Sequence, residues 1–222
     1  MQHWLDALAT QIAPAILVTV ATVEGSGPRE AGAKMVVTKD AQFDTIGGGH
    51  LELRACEIAR DMLAAFSLAA PDALATQRRL ERVALGPGLG QCCGGVVHLA
   101  FERIDPVAAA EYLACVGARW HQRQDTWRLL ALDSCTPPTL CDDAGTCLSG
   151  PPSSLAAHFD SEHPCYLMRD AAGRRWLVDC CRAYRPQLFL FGAGHVGTAL
   201  VRALAELPCH VTWADEDRKS VV

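Results

Sequence analysis

The chain has 222 residues, 50% hydrophobic and 20% charged, an ordinary globular balance with enough length to bury a sizeable core. A formal charge of -5 with no basic run excludes a phosphate-tracking nucleic-acid surface. The longest apolar stretch, Ile12 to Val23, is broken by Pro14, Thr19 and Thr22 and is preceded by Asp6 with no Lys or Arg. That excludes a membrane helix and a signal sequence, so the expectation is a soluble, cytoplasmic protein.

Residues 2 to 12 have helical spacing, with Trp4, Leu5, Leu8 and Ile12 on one face. Ala15 to Val23 reads as a buried strand ended by Gly25-Ser-Gly-Pro28. Met35 to Thr38 and Phe43 to Ile46 read as a hairpin, and after Gly47-Gly-Gly49 a long helical pattern runs from His50 to Ala65. Leu80 to Ala84 is a short strand, the loop Leu85 to Gln91 leads into Cys92-Cys93-Gly94-Gly95, and Val96 to Phe101 is the next strand. The spacing then predicts a helix over Pro106 to Gly117, with strands at Trp127 to Leu132, Cys165 to Met168 and Trp176 to Cys180. Thr136 to Ser154, rich in Pro, Gly, Ser and Asp, reads as loop.

From Gln187 the pattern is strand (Leu188 to Phe191), Gly192-Ala-Gly194-His-Val-Gly197, helix (Thr198 to Leu207), strand (His210 to Trp213) and then Asp215. This order is that of a dinucleotide-binding start: Gly192 for the tight turn, Gly194 for backbone approach to a pyrophosphate, Gly197 for helix–strand packing, and an acid for a ribose. A bland alternative is that the glycines only make the turn. One helix and two strands cannot cover their own apolar faces, so the unit reads as incomplete. The fold class expected is α/β: an α/β unit over 1–105, intervening strands, helix and loop over 106–186, and an incomplete Rossmann-like βαβ unit over 187–222.

Eleven cysteines, an odd number without C-x-x-C or zinc-finger spacing, predict free thiols in a reducing compartment rather than a disulfide framework. The adjacent Cys180-Cys181 ends an apolar strand and reads as structural. Cys92-Cys93 differs, because Gly86, Gly88, Gly90, Gly94 and Gly95 surround it. Such density marks close approach of backbone to something. A thiol beside backbone N–H groups is predisposed to ionise and to bind a soft metal; the plain alternative is a tight loop whose two cysteines fill small spaces. Gly25-Ser-Gly-Pro-Arg29 sets a permanent cation on a turn, and Gly47-Gly-Gly49-His50 opens a helix as a candidate anion site. For Arg29 a solvated charge, and for His50 a capping or core role, are the plain alternatives; Glu52 reads as a first-turn acid favoured by the helix dipole.

Four segments in order, Glu24 to Glu30 (EGSGPRE), Ile46 to Glu52 (IGGGHLE), Leu89 to Gly95 (LGQCCGG) and Leu190 to Gly197 (LFGAGHVG), resemble the XdhC/CoxI family of xanthine dehydrogenase accessory proteins. The resemblance implies a non-enzymatic chaperone with no catalytic residues of its own. Such a protein binds molybdenum cofactor (molybdopterin), protects it, assists its sulfuration with a cysteine desulfurase, and inserts it into apo-xanthine dehydrogenase. It implies a cofactor-binding, metal-contacting cysteine at Cys93, or at Cys92. Gln91, Gly94, Gly95, Arg29, Gly47, Gly48 and Gly49 stand around it, and Gly192, Gly194 and Gly197 form a second site open to a nucleotide. A homodimer is open; nucleic acid and membrane are not expected as partners. The family's C-terminal domain is longer, so the chain reads as truncated relative to it. Two other readings stand beside this one: an NAD(P)-dependent oxidoreductase built on Gly192 to Asp215, and a thiol-ligated metal or redox protein built on Cys92-Cys93.

Overall fold

The computed structural model describes residues 3–66, 77–86, 94–152, 155, 159–160, 162–183, 187–192, 194–204, 207 and 209–215. Its first sheet holds β1 (Ala15–Glu24), β2 (Lys34–Val37), β3 (Gln42–Asp44), β4 (Arg78–Ala84) and β5 (Val96–Ile104), in the order β3-β2-β1-β5-β4. All its pairings are antiparallel. The central strand β1 is apolar without alternation, because both faces of the sheet are covered. Ile16, Val18 and Val20 face helix α2 (Gly49–Phe66), whose Leu51, Ala55, Ile58, Ala59 and Met62 recur at helical spacing in the same cluster. Leu17 and Ala21 face the other way.

The second sheet holds β6 (Thr126–Ala131), β7 (Thr139–Cys141), β8 (Cys147–Ser149), β9 (Cys165–Arg169) and β10 (Arg175–Cys181), in the order β8-β7-β6-β10-β9. It lies face to face with the first: Ala21 and Ala100 of one share a buried cluster with Leu130, Cys165 and Leu177 of the other. At one end α1 (His3–Ala9) and α3 (Ala110–His121) close the pair, with Trp4, Leu8, Ile104, Tyr112, Leu113, Leu140 and Cys181 in one cluster.

Several expectations are corrected. Thr136 to Ser154 is not loop throughout: β7 and β8 form a hairpin in it, turned by Asp142, which accepts the Ala144 and Thr146 N–H groups through Oδ1, and by Gly145 at φ 82. The third helix begins at Ala110, not at Pro106; Asp105 Oδ1 accepts the Val107 and Ala108 N–H groups and holds the preceding turn. Cys180 and Cys181 point to opposite faces, as strand alternation requires, yet both are buried because this sheet too is covered on both sides. All nine described cysteines are free thiols.

The last unit is β11 (Gln187–Phe191), α4 (His195–Leu204) and β12 (His210–Ala214). The two strands pair in parallel with Leu190 opposite Trp213, so the strand–helix–strand order is present. Phe189, Phe191, Val196 and Trp213 are exposed on it. Among the described residues, no helix is long and apolar enough to cross a membrane.

Candidate functional site

Three of the glycine segments lie against one another. Strand β1 stops at Glu24 because Gly25 turns the chain at φ 73, and a Cβ there would sit 3.4 Å from Gly95 Cα. Gly95 is buried, and a side chain on it would overlap the Glu24 and Ser26 carbonyls. On the other side of the same loop, a Cβ on Gly47, at φ 121, would fall 2.5 Å from Pro28 Cβ and 3.4 Å from Arg29 Cγ. Gly94-Gly95, Gly25 to Arg29 and Gly47 therefore form one seam that only glycine permits at its contact points. Gly48 and Gly94 have open space where a side chain would be. The Leu85 N–H donates to the Gly95 carbonyl at 2.7 Å, tying the residue after β4 to the residue before β5.

Glu52 organises the seam from below. Its Oε2 accepts from the Thr45 hydroxyl at 2.5 Å, the Gly48 N–H at 3.0 Å and the Ile46 N–H at 3.2 Å, and its Oε1 accepts from Gln42 at 2.7 Å. Burial pushes this carboxyl up, but those hydrogen bonds outweigh it and hold the acid below its ordinary value. Glu52 is thus more than a first-turn acid: it reaches back one turn and supplies an internal anion to the backbone expected to receive an external one. Gly47 N–H is also engaged, by Thr45 Oγ1 at 3.0 Å. Cys56 donates to Gln42 Oε1 at 3.1 Å, so this thiol belongs to the same support.

Of the other residues singled out, His50 is exposed, which removes a core role. Arg29 is partly exposed beside Glu30, at 3.4 Å. Gly49 begins α2 and is exposed. Gln91, Cys92 and Cys93 lie outside the described residues; Cys93 is the covalent neighbour of Gly94. His98, which has no motif around it, faces Thr22 across the β1–β5 ladder, meets its hydroxyl at 2.8 Å and stands 3.9 Å from Glu24 Oε1. It places a titratable ring beside the strand end that borders the seam. Among the described residues, no group of three His, Cys, Asp or Glu is set to hold a metal.

The fourth glycine segment lies in the β11–β12 unit. Gly192 turns at φ 102, donates to the Ala214 carbonyl and accepts from Trp213 Nε1, both at 2.8 Å. A Cβ on Gly197 would overlap the Gly192 carbonyl, so this glycine is what lets α4 approach the strand end. Gly194 faces open space, and Asp215 directly follows β12.

Residues 8–68 match the model of the XdhC and CoxI family. A solved structure from Bacillus halodurans, described as a xanthine dehydrogenase, superposes with a TM-score of 0.69 at 18% identity, over 95% of this chain and 60% of that one. The chain thus spans 60% of that relative's length, and the likeness is one of fold. No curated protein matches the chain.

Proposed function

We propose, from the match of residues 8–68 to the XdhC and CoxI family model, that this protein is an accessory factor for xanthine dehydrogenase that binds molybdenum cofactor and delivers it. The single observation that carries this reading is the seam: Gly25, Gly47 and Gly95 let three loops abut, and in sequence Cys92-Cys93 directly precedes Gly94. The cofactor supplies a molybdenum–sulfur centre, for which a thiolate is apt, and a phosphate, for which the Arg29 cation rather than the occupied Gly47 and Gly48 N–H groups is apt. The residues present fit such a group: Gly48 and Gly94 leave their outer sides open, Arg29 offers a cation at the rim, and Glu52 fixes the turn that carries Gly48. Cys93 is the proposed thiol ligand, with Cys92 and Gln91 beside it. In this reading the protein holds and protects the cofactor, assists its sulfuration together with a cysteine desulfurase, and performs no turnover itself.

The test is binding of molybdenum cofactor by the purified chain. Cys93→Ala is expected to weaken binding at least about tenfold, roughly 1.4 kcal/mol, while Cys115→Ala leaves it unchanged. Cys115 is the better control because Cys56 is tied to Gln42 and through it to Glu52. Equal binding by both variants would remove the thiol from the reading.

A nucleotide at the 192–197 turn is the second reading, favoured by the open side of Gly194 and the acid after β12. Titration with NAD(H) separates the two. Tight NAD(H) binding by a chain that takes no molybdenum cofactor would turn the protein into an oxidoreductase candidate.

A further inference from the structure

The hairpin that the sequence did not announce carries two cysteines in register. Cys141, the last residue of β7, is the direct ladder partner of Cys147, the first residue of β8. Inside that pair, the Asp142 N–H donates to the Thr146 carbonyl at 3.0 Å and the Gly145 N–H to the Asp142 carbonyl at 3.0 Å. Residues 142 and 146 are therefore the hydrogen-bonded pair, and 141 and 147 the non-hydrogen-bonded pair beyond it. In antiparallel ladders that second kind brings Cα atoms to about 4.5 Å, at the near end of the separation a disulfide spans, and sets both side chains on one face. We infer that Cys141 and Cys147 are a peroxide-responsive thiol pair, closing to a disulfide across the edge of the second sheet.

The two sulfurs have unequal surroundings, which gives the step its direction. Cys147 is exposed and reachable by a small oxidant; Cys141 is buried against Trp127 and Val178. Burial pushes the Cys141 thiol up to about 11, so it stays protonated at neutral pH and is the slower nucleophile. The Cys147 thiolate attacks hydrogen peroxide: an S–O bond forms, the O–O bond breaks, and hydroxide leaves and takes up a proton as water. Cys141 then gives up its proton and attacks the Cys147 sulfenic sulfur; the S–S bond forms, the S–O bond breaks, and a second water leaves. Two electrons pass from the sulfurs to the peroxide. The link secures β8, an edge strand with a register irregularity in its pairing, and β8 runs into Ser149 and Gly150, which wall a cavity of 470 Å³.

The experiment uses the full chain, reduced and then exposed to a small molar excess of hydrogen peroxide. Free thiols are blocked with N-ethylmaleimide, and the chain is cut with a protease that cleaves before aspartate. Asp142 and Asp143 lie between the two cysteines, so cleavage separates them unless a disulfide holds. The expected product is the fragment ending at Cys141 joined to the one beginning at Asp143, unalkylated at both sulfurs. Cys135→Ser is expected to keep the joined product, which excludes Cys135 as the source of the link. Cys141→Ser is expected to lose it and to accumulate Cys147 sulfenic acid that dimedone traps. Cys147 joined to Cys135, or Cys147 oxidised in the parent chain without any link, would overturn the inference. So would a Cys141→Ser variant whose sulfenic acid is no longer-lived than the parent's.

Discussion

Glu52 shows how a side chain with an ordinary sequence position can organise a site. It accepts four hydrogen bonds, three of them from the segment that turns Thr45 through Gly48 into α2. Glu52→Gln keeps the shape but turns an acceptor into a donor facing either Gln42 or the glycine turn. Loss of one or two such bonds is expected to cost about 1–3 kcal/mol in chemical denaturation, and to loosen the proposed molybdenum cofactor binding with it. Because the folded acid titrates below its ordinary value, its contribution is fully present above the unfolded pKa, about 4.3. It is lost as pH falls through the folded value. The gap between parent and variant should therefore be widest near neutrality and shrink in acid; a gap independent of pH would sink the role given to the charge. From sequence, an acid one turn into a helix signals only dipole compensation, since its reach back to Ile46 and Gly48 depends on how the glycine turn folds. His98 was likewise invisible, because its partners Thr22 and Glu24 come from another strand.

At the scale of elements, legibility followed local periodicity. β1, the β2–β3 hairpin, α2 and the β11–α4–β12 unit all stand within a few residues of where apolar spacing and glycine turns place them. The β7–β8 hairpin did not show, since strands of three residues carry too little pattern and Thr139-Leu-Cys141 sits in a Pro- and Gly-rich setting. Its turn, Asp142-Asp-Ala-Gly145, was the available signal. In the C-terminal unit the fingerprint glycines divide by what a side chain would meet. Gly197→Ala would ordinarily stabilise a helix by about 0.5–1 kcal/mol, yet here the methyl overlaps the Gly192 carbonyl and must push α4 off β11. Gly194→Ala meets nothing. Amide hydrogen exchange over 187–214 is expected to speed up in the first variant and stay unchanged in the second. Equal exchange in both would mean that Gly197 has no packing role.

The whole molecule depends on contacts that no local window contains. The two sheets meet through buried charges as well as apolar side chains: Lys34 Nζ bonds Asp179 at 2.7 Å, Arg128 bonds Asp179 at 3.1 Å and Glu102 at 2.7 Å, and Arg128 also donates to the Tyr112 hydroxyl at 2.9 Å. All four charged residues are buried, and Lys34 and Asp179 lie 145 positions apart in the chain. In sequence Lys34 is one charge at a strand start and Arg128 one charge within an apolar run; nothing local says that they share an acid. Burial pushes Asp179 up, but the two cations outweigh it and hold its carboxyl below the ordinary aspartate value. Asp179→Asn leaves Lys34 without its anion and Arg128 with Glu102 alone, both in the interior. Removing one member of a buried ionic set costs about 3–5 kcal/mol, and that loss is expected at neutral pH in urea unfolding. The parent's share from this acid is complete above the unfolded pKa, about 3.9, and disappears as pH drops through the lower folded value. The parent should thus lose stability over that acidic range while the variant, already without the charge, loses less. A variant within about 0.5 kcal/mol of the parent at neutral pH, the range of an ordinary surface change, would mean that the sheets are held by their apolar clusters and that the ionic set adds nothing.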